Sequence, residues 1–145
     1  MKRIIYFTLL FAAVFVCGCK KSKVEFDQPT QVEFKPITAT LAKGTVAVPA
    51  TITILVQLVG AQQSTDISVP YTIDATSTAV EGLHYTSTGG TGGNIIIPAN
   101  SSVGRLVLTS IPTSTGTGRR LILLLTDGAT VPVSQNYKKS TITVN

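Results

Sequence analysis

DISVPYTID, Asp66 to Asp74, is the stretch whose reading decides the fold. Ile67, Val69, Tyr71 and Ile73 alternate with Ser68, Pro70 and Thr72, the period of two that a half-buried β-strand requires. Pro70 has no N–H to give to a ladder, so this strand is expected at a sheet edge or a bulge. Outward from it the same texture repeats. Val32 and Phe34 alternate with Gln31, Glu33 and Lys35, and Thr51 to Val59 places Ile52, Ile54, Val56 and Leu58 on one face. Ile95 to Ile97 is a short apolar run closed by Pro98, and Val103 to Ile111 sets Leu106 and Leu108 against Arg105 and Thr109. Ser140 to Val144 brings Ile142 and Val144 to one side. Leu121 to Leu125 is continuously aliphatic, which predicts a central strand covered on both faces. Clusters of Gly, Pro, Ser, Thr and Asn separate these runs, and none beyond residue 30 keeps helical spacing. About seven short strands at regular intervals predict an all-β chain folded as an antiparallel β-sandwich. A lipid-facing barrel would need longer alternating strands and aromatic girdles. Beyond residue 18 the only aromatic residues are Phe26, Phe34, Tyr71, Tyr85 and Tyr137.

The N-terminus has a different character. Lys2 and Arg3 precede an almost wholly apolar run from Ile4 to Val16, interrupted by Tyr6 and Thr8. A basic start followed by an apolar stretch too short to span a bilayer comfortably is the pattern of a secretory signal. VCGC, Val16 to Cys19, then holds both cysteines of the chain. A disulfide across so short a loop would strain the bond and constrain little. A zinc site needs about four ligands, and the chain adds only His84 to the two thiols. VCGC resembles a bacterial lipobox, with aliphatic Val16 at −3, small Gly18 at −1 and Cys19 at +1. The resemblance implies cleavage after Gly18 and acylation of Cys19, so residues 1–18 are expected to leave as a lipoprotein signal peptide. Acyl chains contribute about 0.8 kcal/mol per buried methylene, and stable anchoring takes more than one chain.

Removing the first 18 of 145 residues leaves 127, enough for one domain with a sizeable core. Lys2 and Arg3 depart with the signal, so ten basic residues face seven acidic ones, +3 in place of +5. Lys20, Lys21 and Lys23 lie beside the anchor, within reach of anionic head groups. Residues 19–30 read as a lipidated tether. No basic stripe interleaved with aromatics is present, which argues against a nucleic-acid partner.

AVEGLHYT, Ala79 to Thr86, followed by NIIIPANSS, Asn94 to Ser102, resembles a Calx-beta domain of the kind found in lipoproteins of Bacteroidetes-type bacteria. The resemblance covers residues 31–145 almost entirely and implies an immunoglobulin-like sandwich. It does not carry the calcium sites of that family with it. His84 stands where an acid precedes the tyrosine, and Arg119 and Arg120 replace the glutamates before the following strand. Calcium needs six to eight oxygen ligands with carboxylates among them. No metal or other cofactor is therefore expected.

The remaining candidates for chemistry are few. His84 is the sole imidazole; Asp74 and Glu81 are near enough in sequence to orient it, but no GxSxG elbow is present. It is expected to be a turn histidine bonded to backbone. TGGTGG, Thr88 to Gly93, lacks the lysine and helix of a phosphate loop and reads as a hairpin tip. Arg119 and Arg120 are candidates to grip an acidic partner, since guanidinium suits carboxylates. Tyr85 and Tyr137 are candidate platforms for a sugar. The expected function is a membrane-anchored, non-enzymatic envelope lipoprotein acting as an interaction or adhesion module through its sandwich loops. The alternative is a glycan-binding accessory of a polysaccharide-uptake system. The lysines after Cys19, where exported lipoproteins often carry acids, favour the periplasmic face of the outer membrane over the cell surface.

Overall fold

The structure, a computed structural model, describes residues 29–89 and 92–145. The signal peptide, Cys19 and all of the tether except Pro29 and Thr30 lie outside the described residues. The strands are β1 (Gln31–Lys35), β2 (Thr38–Leu41), β3 (Thr51–Val59), β4 (Ile67–Ile73), β5 (Tyr85–Ser87), β6 (Gly93–Ile97), β7 (Val103–Ser110), β8 (Arg119–Leu125) and β9 (Lys139–Val144). They form a four-stranded sheet in the order β1-β3-β7-β5 and a five-stranded sheet in the order β2-β9-β8-β4-β6. The two sheets pack face to face as an open all-β sandwich.

All seven of these runs become strands, and in the alternating ones the core-facing sets follow the expected parity. Ile54, Val56 and Leu58 of β3, Leu106 and Leu108 of β7, and Ile142 and Val144 of β9 are buried. Leu121, Leu123 and Leu125 of β8 join them between the sheets. On the outer side of that strand Ile122 is buried and Leu124 partly so, and β8 sits third of five in its sheet.

Three expectations need correction. Nine strands form rather than about seven: β2 and β5, four and three residues long, are too short to show a period. The sandwich is not antiparallel throughout, because β2 pairs in parallel with β9. The chain crosses from one sheet to the other between β1 and β2 and so joins its second sheet still running in its original direction.

The third correction concerns Pro70, whose strand β4 is neither an edge nor bulged. It lies between β8 and β6, with Pro70 opposite Asn94. The proline is accommodated because the β8 ladder stops at the Tyr71–Leu125 pair. Beyond it the Pro70 carbonyl accepts the Thr126 N–H at 3.0 Å, and the reciprocal bond that a Pro70 N–H would make falls past the last residue of β8, so no pair within the strand is lost.

Segments outside the strands close the exposed ladders. Along β8 the hydroxyls of Thr78 and Ser77 accept the N–H groups of Arg120 and Ile122 at 2.8 and 3.0 Å, standing in for strand carbonyls. The outer edge of β1 is paired by residues 132–137: Val32 N–H donates to Pro132 O and Phe34 N–H to Tyr137 O, both at 2.9 Å. Gly104 of β7 permits a close approach of backbones. A Cβ there would lie 2.8 Å from both the Ile96 carbonyl oxygen and a methyl of Ile95.

Candidate functional site

Strand directions sort the loops to two ends of the sandwich. The chain enters at Gln31, which pairs with Val59 at the end of β3. The other end of β3, Thr51, is level with Thr109 of β7. Tyr85 pairs with Ser110, Arg119 with Val144, and Leu41 with Val144. Loops 42–50, 74–84 and 111–118 therefore gather at the end opposite the chain entry. The nine residues of β3, at about 3.4 Å each, separate the two ends by roughly 30 Å.

Loop 42–50 is a small hairpin of its own. Thr45 N–H donates to Val48 O at 2.9 Å, and Val48 N–H returns a bond to Thr45 O at 3.1 Å. Gly44, at φ 69°, makes the closure possible; a Cβ there would collide with the Ala50 nitrogen and come within 2.7 Å of Val48 O. The hairpin tip is apolar and exposed, Val46 to 73% and Val48 to 71%. Its base is held by Ser110, whose buried hydroxyl donates to Lys43 O at 2.6 Å and accepts the Ala50 N–H at 2.9 Å. The Lys43 ammonium donates to Ser114 O at 2.8 Å, tying the hairpin to loop 111–118.

The neighbouring turn, 80–84, is organised by His84. Its ring lies buried, and Nδ1 accepts the Val80 N–H at 2.9 Å. This is the backbone-bonded turn histidine that the sequence suggested. The two acids near it are engaged elsewhere. Asp74 Oδ1 accepts from both the hydroxyl and the N–H of Thr76, and Glu81 Oε1 accepts from the hydroxyl and N–H of Ser87. Neither bond orients the imidazole for catalysis. Val80 and Leu83, on the outside of the same turn, are more than half exposed.

The four residues singled out for partner contact do not come together. Arg119 and Arg120 are adjacent on β8 and so point to opposite faces of their sheet. Arg119 shares the inward side with Leu121, is partly buried, and lies over the 111–118 loop beside Gly116. Arg120 is exposed on the outer side. They cannot act as one clamp on a single carboxylate.

Tyr85 is not a surface platform at all, being 1% exposed. It begins β5 with its ring in the core, and its hydroxyl is buried without a hydrogen-bond partner. Burial first, then the charge of Glu81 and the nearby Tyr71, pushes the phenol well above its ordinary value of 10.0. Tyr137 is the surface aromatic, 46% exposed. It lines a shallow groove of about 400 Å³ with Glu33, Lys35, Pro36, Ile37 and Thr38, at mid-height where the chain changes sheets. That groove is separate from the loop end.

Sequence reasoning missed Val46, Val48, Val80 and Leu83. The available signal was TVAVP, Thr45 to Pro49, an uncharged apolar run set off by Gly44 and too short to be a sheet strand. Among the described residues no group of three or more His, Cys, Asp or Glu side chains could hold a metal ion. No protein-family model and no curated protein matches this chain.

Proposed function

We propose that this protein is a membrane-anchored, non-enzymatic lipoprotein of the bacterial envelope, tethered through Cys19 and making its contacts through the sandwich loops. One observation carries the reading: among the described residues, four of the seven large apolar side chains left exposed, Val46, Val48, Val80 and Leu83, lie on loops at the end opposite the chain entry. A domain held by its N-terminus presents that end to whatever it meets. Exposed apolar groups gathered in one region are the usual mark of an interaction site. The lipobox-like VCGC and the Calx-beta-like motifs support the same assignment, with the outer membrane as the location and its periplasmic face favoured by Lys20, Lys21 and Lys23.

Metabolic labelling with an acyl chain tests the anchor. Cys17→Ser should remain labelled and Cys19→Ser should not; label persisting on the Cys19→Ser protein sinks the assignment. Protease treatment of intact cells tests the facing, since degradation without lysis would place the domain on the surface.

A second reading, glycan binding, has its own observation. Tyr137 is half-exposed beside Pro36 and Ile37 in a groove edged by Glu33 and Lys35, a surface on which a sugar ring could stack. Binding on a glycan array that disappears with Tyr137→Ala would favour it over the loop surface.

A further inference from the structure

We infer that the 42–50 hairpin is a membrane-touching tip that seats on an anionic lipid bilayer; the inference rests on the reading of the loop end as the contact surface. The tip is convex, and from Val46 to Pro49 it carries no polar side chain. Thr45, at its edge, uses its hydroxyl to accept the Val48 N–H at 3.1 Å, so part of its polarity is spent within the hairpin. A protruding apolar knob fits a deformable surface without needing a matching cavity. An interfacially bound apolar element reaches about 5–10 Å into the boundary between head groups and acyl chains. Lys43 stands at the base of the hairpin with its ammonium on Ser114 O at 2.8 Å, which places a positive charge behind the apolar tip.

Charge selects the kind of bilayer. Lys43, Arg119 and Arg120 all lie at this end. Of the two acids nearby, Glu81 directs its carboxylate inward onto Ser87, with Oε2 buried. Among the described side chains at this end, Asp74 is the one carboxylate left in solvent, and it is engaged by Thr76. Each cation near an anionic surface contributes enough to change partition about fivefold. Exposed Val80 and Leu83, on the adjacent turn, provide a second apolar contact alongside the hairpin.

The chain contains no tryptophan, so Val46→Trp installs a single indole reporter at the tip. The full chain is measured in two forms, acylated and with Cys19→Ser. Each is mixed with phosphatidylcholine vesicles, with or without phosphatidylglycerol. On the anionic vesicles the indole emission should move to shorter wavelength and be quenched by bromine placed high on the acyl chains. Neutral vesicles should give neither change, and Arg120→Ala should weaken the anionic response about fivefold. Gln62→Trp, at the opposite end, should stay in water. A shift in the Cys19→Ser chain supports the tip whatever the fate of the anchor. An indole that stays in water while the acylated chain sediments with anionic vesicles overturns the inference and leaves the anchor standing. An equal response to neutral vesicles, or a shift that follows protein concentration without vesicles, overturns it in favour of non-selective insertion or a second copy.

Discussion

His84 and Val80 hold each other twice: Nδ1 of the imidazole accepts the Val80 N–H, and the Val80 carbonyl accepts the His84 N–H, both at 2.9 Å. The pair closes the turn that presents Val80 and Leu83 to solvent. It also connects to β7, because the His84 carbonyl accepts the Ile111 N–H at 3.0 Å. His84→Leu keeps bulk but leaves the Val80 donor without its ring acceptor. An unmade bond of that kind costs about 1–3 kcal/mol. His84→Asn offers an oxygen near the same place and should recover part of the loss. Urea midpoints and exchange of the Val80 amide proton would check this; identical midpoints for the two variants would show that the ring nitrogen is not what holds the turn.

Tyr85 gives a prediction of the opposite sign. Its buried hydroxyl has no partner, so Tyr85→Phe should leave stability at neutral pH unchanged or raise it slightly, by less than about 1 kcal/mol. At high pH the wild type should weaken. The folded state holds the phenolic proton more tightly than the unfolded chain, because burial raises the phenol above its ordinary value of 10.0. Stability is therefore complete below about pH 10 and declines as pH rises beyond it. Tyr71, raised chiefly by burial despite its bond with Ser87, adds to the same decline. Tyr85→Phe should flatten this alkaline limb. A marked loss at neutral pH would mean that the hydroxyl is paired.

Much of the sandwich was legible because a strand with one buried face writes its parity into the sequence. Ile67, Val69 and Tyr71 are buried while Ser68 and Thr72 are exposed, as the alternation required. β2 was not legible: TATL follows Pro36, and only Leu41 is fully buried. The opposed directions of Arg119 and Arg120 follow from the period of two once both are placed on one strand, yet as a sequence they read as a pair. Tyr85 was misplaced for a related reason. A tyrosine beside turn residues looks exposed until the partner strand is known, and β5 is too short to announce that its first residue faces inward. The hairpin tip left the weakest trace, because exposed valines and buried valines are the same letters.

Asp74 supplies a test in the acid range. The Thr76 hydroxyl, and then the Thr76 N–H, bond its carboxylate and hold it below its ordinary value of 3.8; Lys139 and Arg120 add in the same direction. A depressed carboxyl contributes stability above its ordinary value and loses it as pH falls through the folded one. Thr76→Val removes the hydroxyl while keeping the shape. Carbon-detected NMR titration should then move the Asp74 midpoint up toward the ordinary value. A midpoint unmoved by Thr76→Val would mean that the hydroxyl bond is not formed in solution.

The load on β8 gives the last prediction. Leu123 is 1% exposed, lies between Leu121 and Leu125 on the inward face, and pairs with Ser140 of β9 on one side and Ile73 of β4 on the other. No crosslink relieves that core, since the only two cysteines are Cys17 and Cys19 at the far N-terminus. Leu123→Ala removes three buried carbons and leaves a cavity among close-packed neighbours, at a cost of about 2–5 kcal/mol. A domain of ordinary stability has only about 5–15 kcal/mol in hand, so the shift in midpoint should be large. Thr113→Ala, in the exposed loop before β8, should stay within about 0.5 kcal/mol. Equal midpoints for Leu123→Ala and Thr113→Ala would contradict the central place of β8 between its two neighbours and the register of the five-stranded sheet.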